Sequence, residues 1–414
     1  MISVLINAYA CAPNMGSEPG MAWNWIINLA KDCKLFVITE GEWKDRIESA
    51  IAELPQGSNI QFYYNPVSEK VRRLCWNQGD WRFYYFYNKW QKETLKIARN
   101  IIKENKIDIV HQLNMIGFRE PGYLWMLEEV PFVWGPIGGM ENFPLAYLKD
   151  ASPKQKVFNV LKNIINVWQI KYSIRVREAI RRADALVAAV RGVKDRIELY
   201  HKKQAFLINE TGCYVKNNQN FESKKNKNFD ILWVGKFDFR KQLDLALNTI
   251  AKIRFFEGLK FHIIGTGSQQ EIFFYKDLAK KLKIEDVCIW YGTLSNEEVQ
   301  RTMQKSQLLL FTSVMEGTPH VVLEAIGNNL PVLCFNTCGQ GASVNSEVGI
   351  KIELNSIDQS INAFSEILIK LYKNREILSK LSGACSRRQI ELSWDNKSRE
   401  MIKIYESVLN TQAS

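Results

Sequence analysis

Short apolar runs alternate with amphipathic helical segments along almost the whole chain, and this alternation limits the fold more than any other feature. Each run is long enough for a buried strand, and each intervening segment has the spacing of a helix that covers a sheet. The runs predicted as strands are residues 4–7, 35–39, 60–64, 109–111, 132–134, 185–189, 205–208, 231–234, 261–264, 287–290, 308–311 and 331–335. Such alternation favours an α/β protein built from βαβ units with parallel sheets.

The length of the chain predicts two domains. Its 414 residues exceed what one hydrophobic core usually organises. A polar stretch poor in apolar residues, 216–229, is predicted to link the two domains. We therefore expect an N-terminal domain over 1–215, a C-terminal domain over 230–390 and a closing helical segment over 391–414.

Composition and charge exclude some classes of protein. A net charge of +11 implies anionic partners, which could be a nucleotide, a nucleic acid or a membrane surface. No nucleic-acid recognition motif is present. No apolar run approaches the roughly 20 residues that cross a bilayer, and residues 1–11 lack the basic start of a secretory signal. Eight scattered cysteines favour reduced thiols in the cytoplasm over a zinc site.

Part of the positive charge is concentrated in residues 154–182, where Glu178 is the only acid. Apolar residues recur between the basic ones, so a helix there would have an apolar side and a basic side. This pattern suits a helix that contacts anionic lipid at the inner face of the plasma membrane. It suits equally well a helix packed on the domain surface with its basic side in water. The basic residues are Lys154, Lys156, Lys162, Lys171, Arg175, Arg177, Arg181 and Arg182.

The segment from Glu316 to Glu324 carries the clearest chemistry in the chain. Gly317 and Pro319 disfavour a continuous helix, so Glu316 is predicted in a loop and Glu324 inside the helix that follows. The start of a helix has unpaired amide donors and partial positive charge, which suit a phosphate. A carboxylate further along can accept hydrogen bonds from two vicinal hydroxyls. The segment therefore predicts a site for a sugar nucleotide.

Three further segments follow predicted strands in the same way, at residues 15–20, 235–241 and 265–268, and two of them contain closely spaced glycines. Together with the segment 316–324, they resemble the retaining glycosyltransferases of family four, within glycosyl transferases group 1. The resemblance extends over nearly the whole chain. It implies the GT-B fold, in which two Rossmann-like domains with parallel sheets face a central cleft and the last helix crosses back to the first domain.

The resemblance also implies roles on the donor side. Glu316 would bind hydroxyls of the donor sugar, Glu324 would bind the ribose, and the backbone amides of His320 and Val321 would bind the diphosphate. The alternative for Glu324 is an ordinary exposed helical acid, although its sequence neighbours are apolar. Further donor contacts are implied for Gly16, Gly265, Leu294, Gly317 and Thr318.

Lys236 and Lys241 are the predicted catalytic cations. Cleavage of a sugar–phosphate bond places negative charge on the leaving nucleoside diphosphate, so the site must supply cations or a metal. The chain has no Asp-x-Asp pair that would hold a divalent ion, and we expect neither a metal nor a cofactor. The family usually has arginine at the first position, and Lys236 keeps the charge without the planar fork. Solvated loop lysines are the alternative.

The acceptor side is expected in the N-terminal domain. Gly138, Gly139 and Glu141 follow the run 132–134 and are predicted to contact the acceptor. His111 ends the run 109–111 and is predicted to be catalytic on this side. A hydrogen-bonded structural histidine is an equal alternative, because Leu113 occupies the place where the family often has a second histidine.

We therefore predict a retaining, metal-independent hexosyltransferase in the cytoplasm. Its donor would be a nucleotide sugar, and its acceptor a glycan or lipid-linked saccharide in surface polysaccharide or lipid-linked glycan synthesis. Two alternatives remain open. A nucleotide-sugar epimerase or hydrolase would consume the donor without an acceptor, and a catalytically silent subunit would bind the sugar nucleotide without turnover.

Overall fold

The computed structural model describes residues 1–76, 81–149, 151–215 and 228–413. The chain divides into two compact units. The first contains Met1–Glu141, Ile164–Thr211 and Trp394–Ser414, and the second contains Asn142–Asn163 and Gly212–Ser393. Most of the predicted linker, residues 216–227, lies outside the described residues, and Phe229 already belongs to a strand.

The first unit is organised around a parallel sheet. Its strands, within the described residues, have the order β3-β2-β1-β4-β5-β6-β7. Their bounds are β1 Ile2–Ala8, β2 Cys33–Thr39, β3 Ile60–Tyr64, β4 Ile109–Asn114, β5 Phe132–Ile137, β6 Ala185–Ala188 and β7 Phe206–Leu207. The register places Leu5 of β1 opposite Phe36 of β2 and Val110 of β4.

Helices cover both faces of this sheet. Their bounds are α1 Ser17–Leu29, α2 Lys44–Ala52, α3 Glu69–Trp76, α4 Trp81–Glu104, α5 Pro153–Tyr172, α6 Ile174–Arg182, α7 Arg191–His201 and α15 Trp394–Ala413. Helix α5 begins in residues of the second unit and ends in residues of the first. Short 3-10 helices occur at Gly57–Asn59, Leu124–Met126, Leu145–Leu148 and Phe239–Lys241.

The strands are buried on both faces, which explains why they are continuous apolar runs. Leu5 belongs to the apolar cluster that includes Tyr87 and Trp90 of α4. Val4 belongs to the cluster on the other face, which includes Trp25 of α1. Successive residues of β1 therefore enter different cores, as the alternation of side chains along a strand requires.

The last helix, α15, completes the core of the first unit. The rings of Trp394 and Trp25 lie 5.8 Å apart in an edge-to-face arrangement. Lys31 and Asp395 form an ion pair, and Tyr405 is fully buried. The predicted return of the closing segment to the first domain agrees with these contacts.

The second unit has its own parallel sheet, with the order β10-β9-β8-β11-β12-β13 in the described residues. Its strands are β8 Phe229–Val234, β9 Leu259–Ile264, β10 Cys288–Gly292, β11 Leu308–Phe311, β12 Val332–Phe335 and β13 Gly349–Ile352. Its helices are α8 Leu243–Lys252, α9 Gln269–Lys281, α10 Asn296–Lys305, α11 His320–Gly327, α12 Cys338–Ser343, α13 Ile357–Lys373 and α14 Arg375–Glu391.

The predicted strands all occur, so the expectation of parallel sheets is confirmed. Strand β13 and helix α14 were not predicted from the sequence. Strand β13 is only four residues long and half of it is incompletely buried, so it lacks the apolar run that marks the other strands. None of the helices in the described residues is both long and apolar enough to span a bilayer.

Candidate active site

The loops after β8, β9 and β11 carry most of the predicted donor residues. These strands are parallel neighbours in the order β9-β8-β11, so their carboxyl ends lie at one edge of the sheet of the second unit. The predicted residues brought to this edge are Lys236, Lys241, Gly265, Glu316, Gly317 and Thr318.

Two glycines let the loops after β8 and β9 touch through their backbones. Gly265 has a φ of 143°, and a Cβ at this position would lie 1.7 Å from the carbonyl oxygen of Gly235. The amide of Gly235 donates to the carbonyl of Ile264 at 3.0 Å, and the amide of Phe237 donates to that of Thr266 at 2.9 Å. Only glycine combines this φ with so close an approach, so Gly265 fixes the shape of the edge.

Lys241 and Glu316 form an ion pair at this edge. Nζ of Lys241 lies 2.6 Å from Oε1 of Glu316, and Oγ of Ser313 donates to the same oxygen at 2.6 Å. The two side chains are 16% and 14% exposed, so solvent screens this pair less than an exposed surface pair. Nζ of Lys241 also lies 5.1 Å from the centroid of the Phe311 ring. An anion that binds Lys241 would therefore compete with Glu316 for the ammonium group.

Hydrogen bonds join the two loops that carry this pair. Oγ1 of Thr312 donates to the carbonyl of Lys241 at 2.7 Å, and the amide of Val314 donates to the carbonyl of Arg240 at 3.0 Å. Asp238 accepts hydrogen bonds from the backbone amide of Arg240 at 2.9 Å and from its guanidinium at 2.8 Å. The charge of Arg240 is thus directed to Asp238, and Lys241 is the cation presented to Glu316.

Helix α12 supports the loop after β11. This contact was not predicted from the sequence. Gln340 is fully buried, and its Nε2 donates to the carbonyl of Ser313 at 3.0 Å. The amide of Gly339 donates to the carbonyl of Gly317 at 3.0 Å, and a Cβ on Gly339 would lie 2.3 Å from that oxygen. The available signal was the position of Gly339 after β12, at the same edge as the three recognised loops.

Helix α11 begins without a capping side chain. Its N-cap residue is Pro319, and no side chain among the described residues caps the helix there. The amides of His320 and Val321 occupy the first turn, where no intrahelical acceptor exists. Helices α9 and α10 differ, because each begins with a complete capping box. The start of α11 keeps the donors that a phosphate would need.

The side chains of Glu324 and Lys236 are available to bind a ligand. Glu324 lies in the second turn of α11 and is half-buried, whereas Lys236 is exposed in the loop after β8. Neither side chain has a hydrogen-bonding or ionic partner among the described residues. Leu294 and Val321 pack against the apolar cluster that contains Leu323, so these two residues have a packing role beneath the edge.

In the first unit, the predicted glycine loop precedes α1. A Cβ on Gly16 would meet nothing within 4 Å, whereas a Cβ on Gly20 would lie 1.7 Å from the carbonyl oxygen of Met15. Gly20 is therefore required by the local packing. Gly16 is exposed, and its contact with the donor stays a prediction.

A cavity of about 200 Å³ opens beside Gly16, at the carboxyl ends of β1 and β2. Its lining includes Tyr9, Glu18, Glu40 and Trp43. The sequence analysis did not identify this cavity. The available signal was the placement of Glu40 and Trp43 directly after β2.

Glu40 is fixed on the wall of this cavity. Arg72 donates from Nη2 to Oε1 at 2.7 Å and from Nε to Oε2 at 3.2 Å, which makes a bidentate pair. The backbone amides of Val67 and Glu42 each donate to the carboxylate at 3.0 Å. Four hydrogen bonds therefore hold Glu40 in one orientation.

Glu18 is the second carboxyl of the cavity wall, and this residue is half-buried. Its Oε1 accepts a hydrogen bond from the amide of Ile116 at 3.2 Å, while its Oε2 is buried and has no partner among the described residues. Burial raises the pKa of Glu18 to about 7, and the nearby charge of Glu210 also raises it. Glu18 can therefore hold or release a proton near neutral pH.

His111, the predicted catalytic residue on the acceptor side, lies inside the first unit. It is fully buried. Its Nε2 donates to the carbonyl of Gly135 at 2.6 Å, and its Nδ1 accepts from the hydroxyl of Tyr405 at 2.6 Å. Burial lowers its pKa to about 4. Both ring nitrogens are occupied, which favours the structural alternative, and the catalytic role stays a prediction.

The other predicted acceptor residues follow β5. The amide of Gly138 donates to the carbonyl of Ile116 at 2.7 Å, so this glycine extends the sheet. Gly139 is exposed and has a φ of 79°. Oε1 of Glu141 would lie 2.3 Å from a Cβ on Gly192, so its carboxylate packs closely against the first turn of α7. Only Gly139 of these three is presented fully to solvent.

No three His, Cys, Asp or Glu side chains lie close enough to hold a metal ion in the part of the chain that the structure describes. The predicted metal independence remains a prediction.

Comparison with known proteins finds a family match for the C-terminal part of the chain. Residues 215–384 match the family model described as glycosyl transferases group 1. The lipopolysaccharide 1,6-galactosyltransferase of Escherichia coli is 31% identical over 106 residues, which cover 25% of this chain and 28% of that protein. A Campylobacter jejuni protein is 28% identical over 147 residues, covering 34% of this chain and 38% of that protein. Its name is GalNAc-alpha-(1->4)-GalNAc-alpha-(1->3)-diNAcBac-PP-undecaprenol alpha-1,4-N-acetyl-D-galactosaminyltransferase.

The fold agrees with solved structures over the whole chain. The crystal structure of Anabaena HepE in complex with UDP matches with a TM-score of 0.61 at 13% identity, covering 98% of this chain and 100% of that one. The predicted GT-B fold is therefore confirmed. The sequence matches span less than half the length of the curated relatives, between 28% and 49% for the three that head the comparison. Residues 215–384 are therefore similar to glycosyl transferases group 1, and the chain shares the fold of a solved glycosyltransferase-like structure over its full length.

Proposed function

We propose that the protein transfers a hexosyl unit from a nucleotide sugar to an acceptor hydroxyl with retention of anomeric configuration. The observation that carries the proposal is the Lys241–Glu316 pair, 2.6 Å between Nζ and Oε1, at the sheet edge that also carries the uncapped start of α11. This combination supplies a cation, a carboxylate and open amide donors to one ligand. An activated sugar needs all three, because it carries a diphosphate and several hydroxyls.

The donor is assigned from the chemistry of this edge. The amides of His320 and Val321 and the ammonium groups of Lys236 and Lys241 would bind the diphosphate. Glu316 would accept hydrogen bonds from sugar hydroxyls once a phosphate takes its place beside Lys241. The presence of UDP in the Anabaena HepE structure supports a nucleoside diphosphate as the leaving group.

Glu324 is assigned to the ribose. Its carboxylate is half-buried in α11 and has no partner among the described residues, which leaves it able to accept both vicinal hydroxyls. Its position, one turn beyond His320, suits a nucleotide whose diphosphate lies at the helix start.

The proposed reaction needs no nucleophile from the protein. The acceptor oxygen forms a bond to the anomeric carbon on the face from which the phosphate oxygen departs, and the bond to that phosphate oxygen breaks. The acceptor proton passes to the departing phosphate oxygen. Lys241 would stabilise the charge that accumulates on the diphosphate, so its interaction is stronger in the transition state than in the bound donor. On this proposal the reaction is independent of a metal ion.

The acceptor is proposed to be a glycan or a lipid-linked saccharide, used in surface polysaccharide or lipid-linked glycan synthesis. The names of the Escherichia coli and Campylobacter jejuni relatives, which specify lipopolysaccharide and an undecaprenol diphosphate, support this class. The reaction would take place in the cytoplasm, at the inner face of the plasma membrane.

Thermal shift with a panel of nucleotide sugars would identify the donor, because a ligand that binds the folded state raises Tm in proportion to its occupancy. The best donor is then incubated with glycan acceptors, and the anomeric configuration of the product is read by NMR. Retention is expected. Glu316→Gln should lower turnover, and Glu366→Gln, on an exposed part of α13, is the matched control.

Three results would contradict the proposal. Consumption of the donor at full rate without an acceptor would indicate a hydrolase or an epimerase. Binding of a sugar nucleotide with no turnover across the acceptor panel would indicate a silent binding subunit. A product of inverted configuration would exclude the retaining reaction.

A further inference from the structure

Helix α5 packs on the protein through its polar side chains, which is the reverse of an ordinary surface helix. Asn163 accepts a hydrogen bond from the amide of Phe143 at 2.9 Å and donates to its carbonyl at 2.8 Å. Asn166 is buried, and its Nδ2 donates to the carbonyl of Met140 at 2.9 Å. Asparagines therefore occupy the side where a surface helix normally places its apolar residues.

Arg119 adds to this polar contact. Its Nη2 donates to Oδ1 of Asn166 at 2.5 Å, and its Nε donates to Oε1 of Gln169 at 2.7 Å. Ile170 is fully buried on the same side of the helix. The rotation of α5 about its own axis is thus fixed by several hydrogen bonds, and its opposite side must face solvent.

The opposite side is apolar, and we name it the outward face. At 100° per residue its members span about 120° of the helix, centred opposite Asn163, Asn166 and Ile170. Each member is between 52% and 61% exposed. The outward face consists of Val157, Phe158, Leu161, Ile164, Ile165, Trp168 and Tyr172. Single exposed apolar residues are ordinary, but a contiguous set on one helix marks an interaction surface.

The charge on α5 is entirely positive. The helix contains four lysines and no acidic residue. In helical projection Lys162 and Lys171 lie on the two sides of the outward face, and Lys154 and Lys156 lie in the first turn. Lysines in these positions can extend to anionic headgroups while the apolar side chains enter the boundary of the acyl chains.

The arginines of α6 contribute less than the sequence analysis expected. Arg175 pairs with Glu120 at 2.8 Å, Arg181 with Glu178 at 2.6 Å and Arg182 with Glu128 at 2.5 Å. Their charges are offset by these acids. Of the basic residues predicted over 154–182, the lysines of α5 and the exposed Arg177 of α6 therefore remain as the main positive charges.

A second copy of the chain fits this surface less well than a membrane. The outward face is about 22 Å long and about 10 Å wide, or roughly 220 Å², given the dimensions of an α-helix. A stable protein interface buries about 800 Å² on each partner. Two copies would also bring their lysines together. An anionic surface complements the charge and can receive a single helix.

We propose that α5 is an interfacial helix that docks the protein on an anionic lipid bilayer, with the outward face at the acyl boundary and the flanking lysines at the headgroups. The inference does not depend on the proposed transfer reaction. It supplies a physical means of bringing a soluble active site to a lipid-linked substrate.

The test is sedimentation of the full chain with phosphatidylcholine vesicles that contain phosphatidylglycerol as one lipid in three. The wild type is expected to bind, and pure phosphatidylcholine should bind it at least tenfold more weakly. The double variant Leu161→Ser and Ile165→Ser should lose about tenfold or more in affinity, because two exposed apolar side chains are removed from the outward face. The matched control is Phe273→Ser and Phe274→Ser, two exposed apolar residues of α9, which should bind as the wild type does.

Wild-type affinity in the Leu161→Ser and Ile165→Ser variant would overturn the proposal. A wild type that fails to bind anionic vesicles but forms a dimer, lost in this variant by light scattering, would assign the outward face to a second copy and overturn it as well. Transfer to a soluble acceptor should be equal in the wild type and the variant, since neither residue belongs to the proposed donor edge. This assay separates failure of membrane docking from failure of the proposed reaction.

Discussion

Both units place their polar chemistry after the carboxyl ends of parallel strands, yet the two edges differ in charge and in how that charge is held. The second unit presents Lys236 and Lys241 with the uncapped start of α11. The first unit presents Glu18 and Glu40 around a cavity, with Glu40 fixed by Arg72. One edge suits an anion, and the other suits uncharged hydroxyl-bearing groups.

The difference also concerns which charges can change partners. Lys241 and Glu316 are held mainly by each other and by Ser313, so a ligand with both a phosphate and hydroxyls could separate them. Glu40 accepts four hydrogen bonds from its own unit, so a ligand would have to break several of them to separate it from Arg72. The same strand-end position therefore holds an ion pair with few other partners in one unit and a fully hydrogen-bonded carboxylate in the other.

The largest expected effect comes from Lys241→Ala. Loss of a cation that stabilises leaving-group charge should lower kcat about 10² to 10³-fold, or about 3 to 4 kcal/mol, with a smaller change in donor affinity. Steady-state kinetics with saturating acceptor would measure both. Lys260→Ala, at an exposed position of β9 outside these loops, is the control and should behave as the wild type. Equal losses in kcat and in affinity would place Lys241 in ground-state binding.

A smaller effect is expected for Glu324→Gln. Loss of charge-assisted hydrogen bonds to the ribose should weaken nucleotide binding by about 1.5 to 3 kcal/mol. Calorimetric titration with the nucleoside diphosphate measures this directly. The same titration is repeated with the deoxyribose nucleotide, which lacks one ribose hydroxyl. If the ribose nucleotide binds more tightly than the deoxyribose nucleotide by the same factor in the wild type and in Glu324→Gln, the assignment of Glu324 to the ribose is wrong.

The stability of the first unit should depend on pH through Glu18. The pKa of Glu18 is about 7 in the folded protein and 4.5 ordinarily, so the folded state binds this proton more tightly than the unfolded chain. The free energy of unfolding should therefore fall as pH rises from about 4.5 to about 7. Glu18→Gln should remove this decline and be more stable than the wild type above pH 7 by about 3 kcal/mol.

Urea unfolding of both proteins across this pH range tests the prediction. If the stabilities of the wild type and of Glu18→Gln depend on pH in the same way, the pKa of Glu18 is not raised in the folded protein. Glu42→Gln, a neighbouring acid on the same cavity wall, controls for the simple loss of one negative charge.

The smallest expected effect is that of a chelator. If Lys241, Lys236 and the amides of α11 neutralise the leaving group, saturating EDTA should leave the initial rate within about twofold of its value, well under 1 kcal/mol. The rate is measured with and without the chelator after extensive dialysis. Complete inhibition, reversed by added Mg²⁺ or Mn²⁺, would show that a metal ion also neutralises the leaving group.

The sequence predicted what depends on local pattern. Apolar runs located the strands of both sheets, and Pro319 marked the start of α11 with Glu316 in the loop before it. The glycine at position 265, directly after a predicted strand, indicated a tight turn there. The sequence did not show that this turn would lie so close to Gly235. These features depend on neighbouring residues and on the fixed geometry of parallel strands.

What the sequence could not give depends on contacts between distant residues. The partners Lys241 and Glu316 are far apart in the chain, as are Glu40 and Arg72, and no periodicity records either pair. His111 had the same local context in its catalytic and structural interpretations, and only the contact with Tyr405 distinguishes them. For α5, the pattern showed two sides but not which one is buried, since Asn163 and Asn166 find backbone partners that only the fold provides.

The place of α15 in the first unit sets an order for folding during translation. Domains usually fold as they emerge, beginning with the N-terminal one. Here Trp394 and Tyr405 belong to the core of the first unit, whereas the second unit ends at Ser393. The ribosome therefore releases every residue of the second unit before the first can close around its final helix. A nascent chain stalled near residue 393 would carry a complete second unit joined to an incomplete first unit, whose surface for α15 would still be exposed.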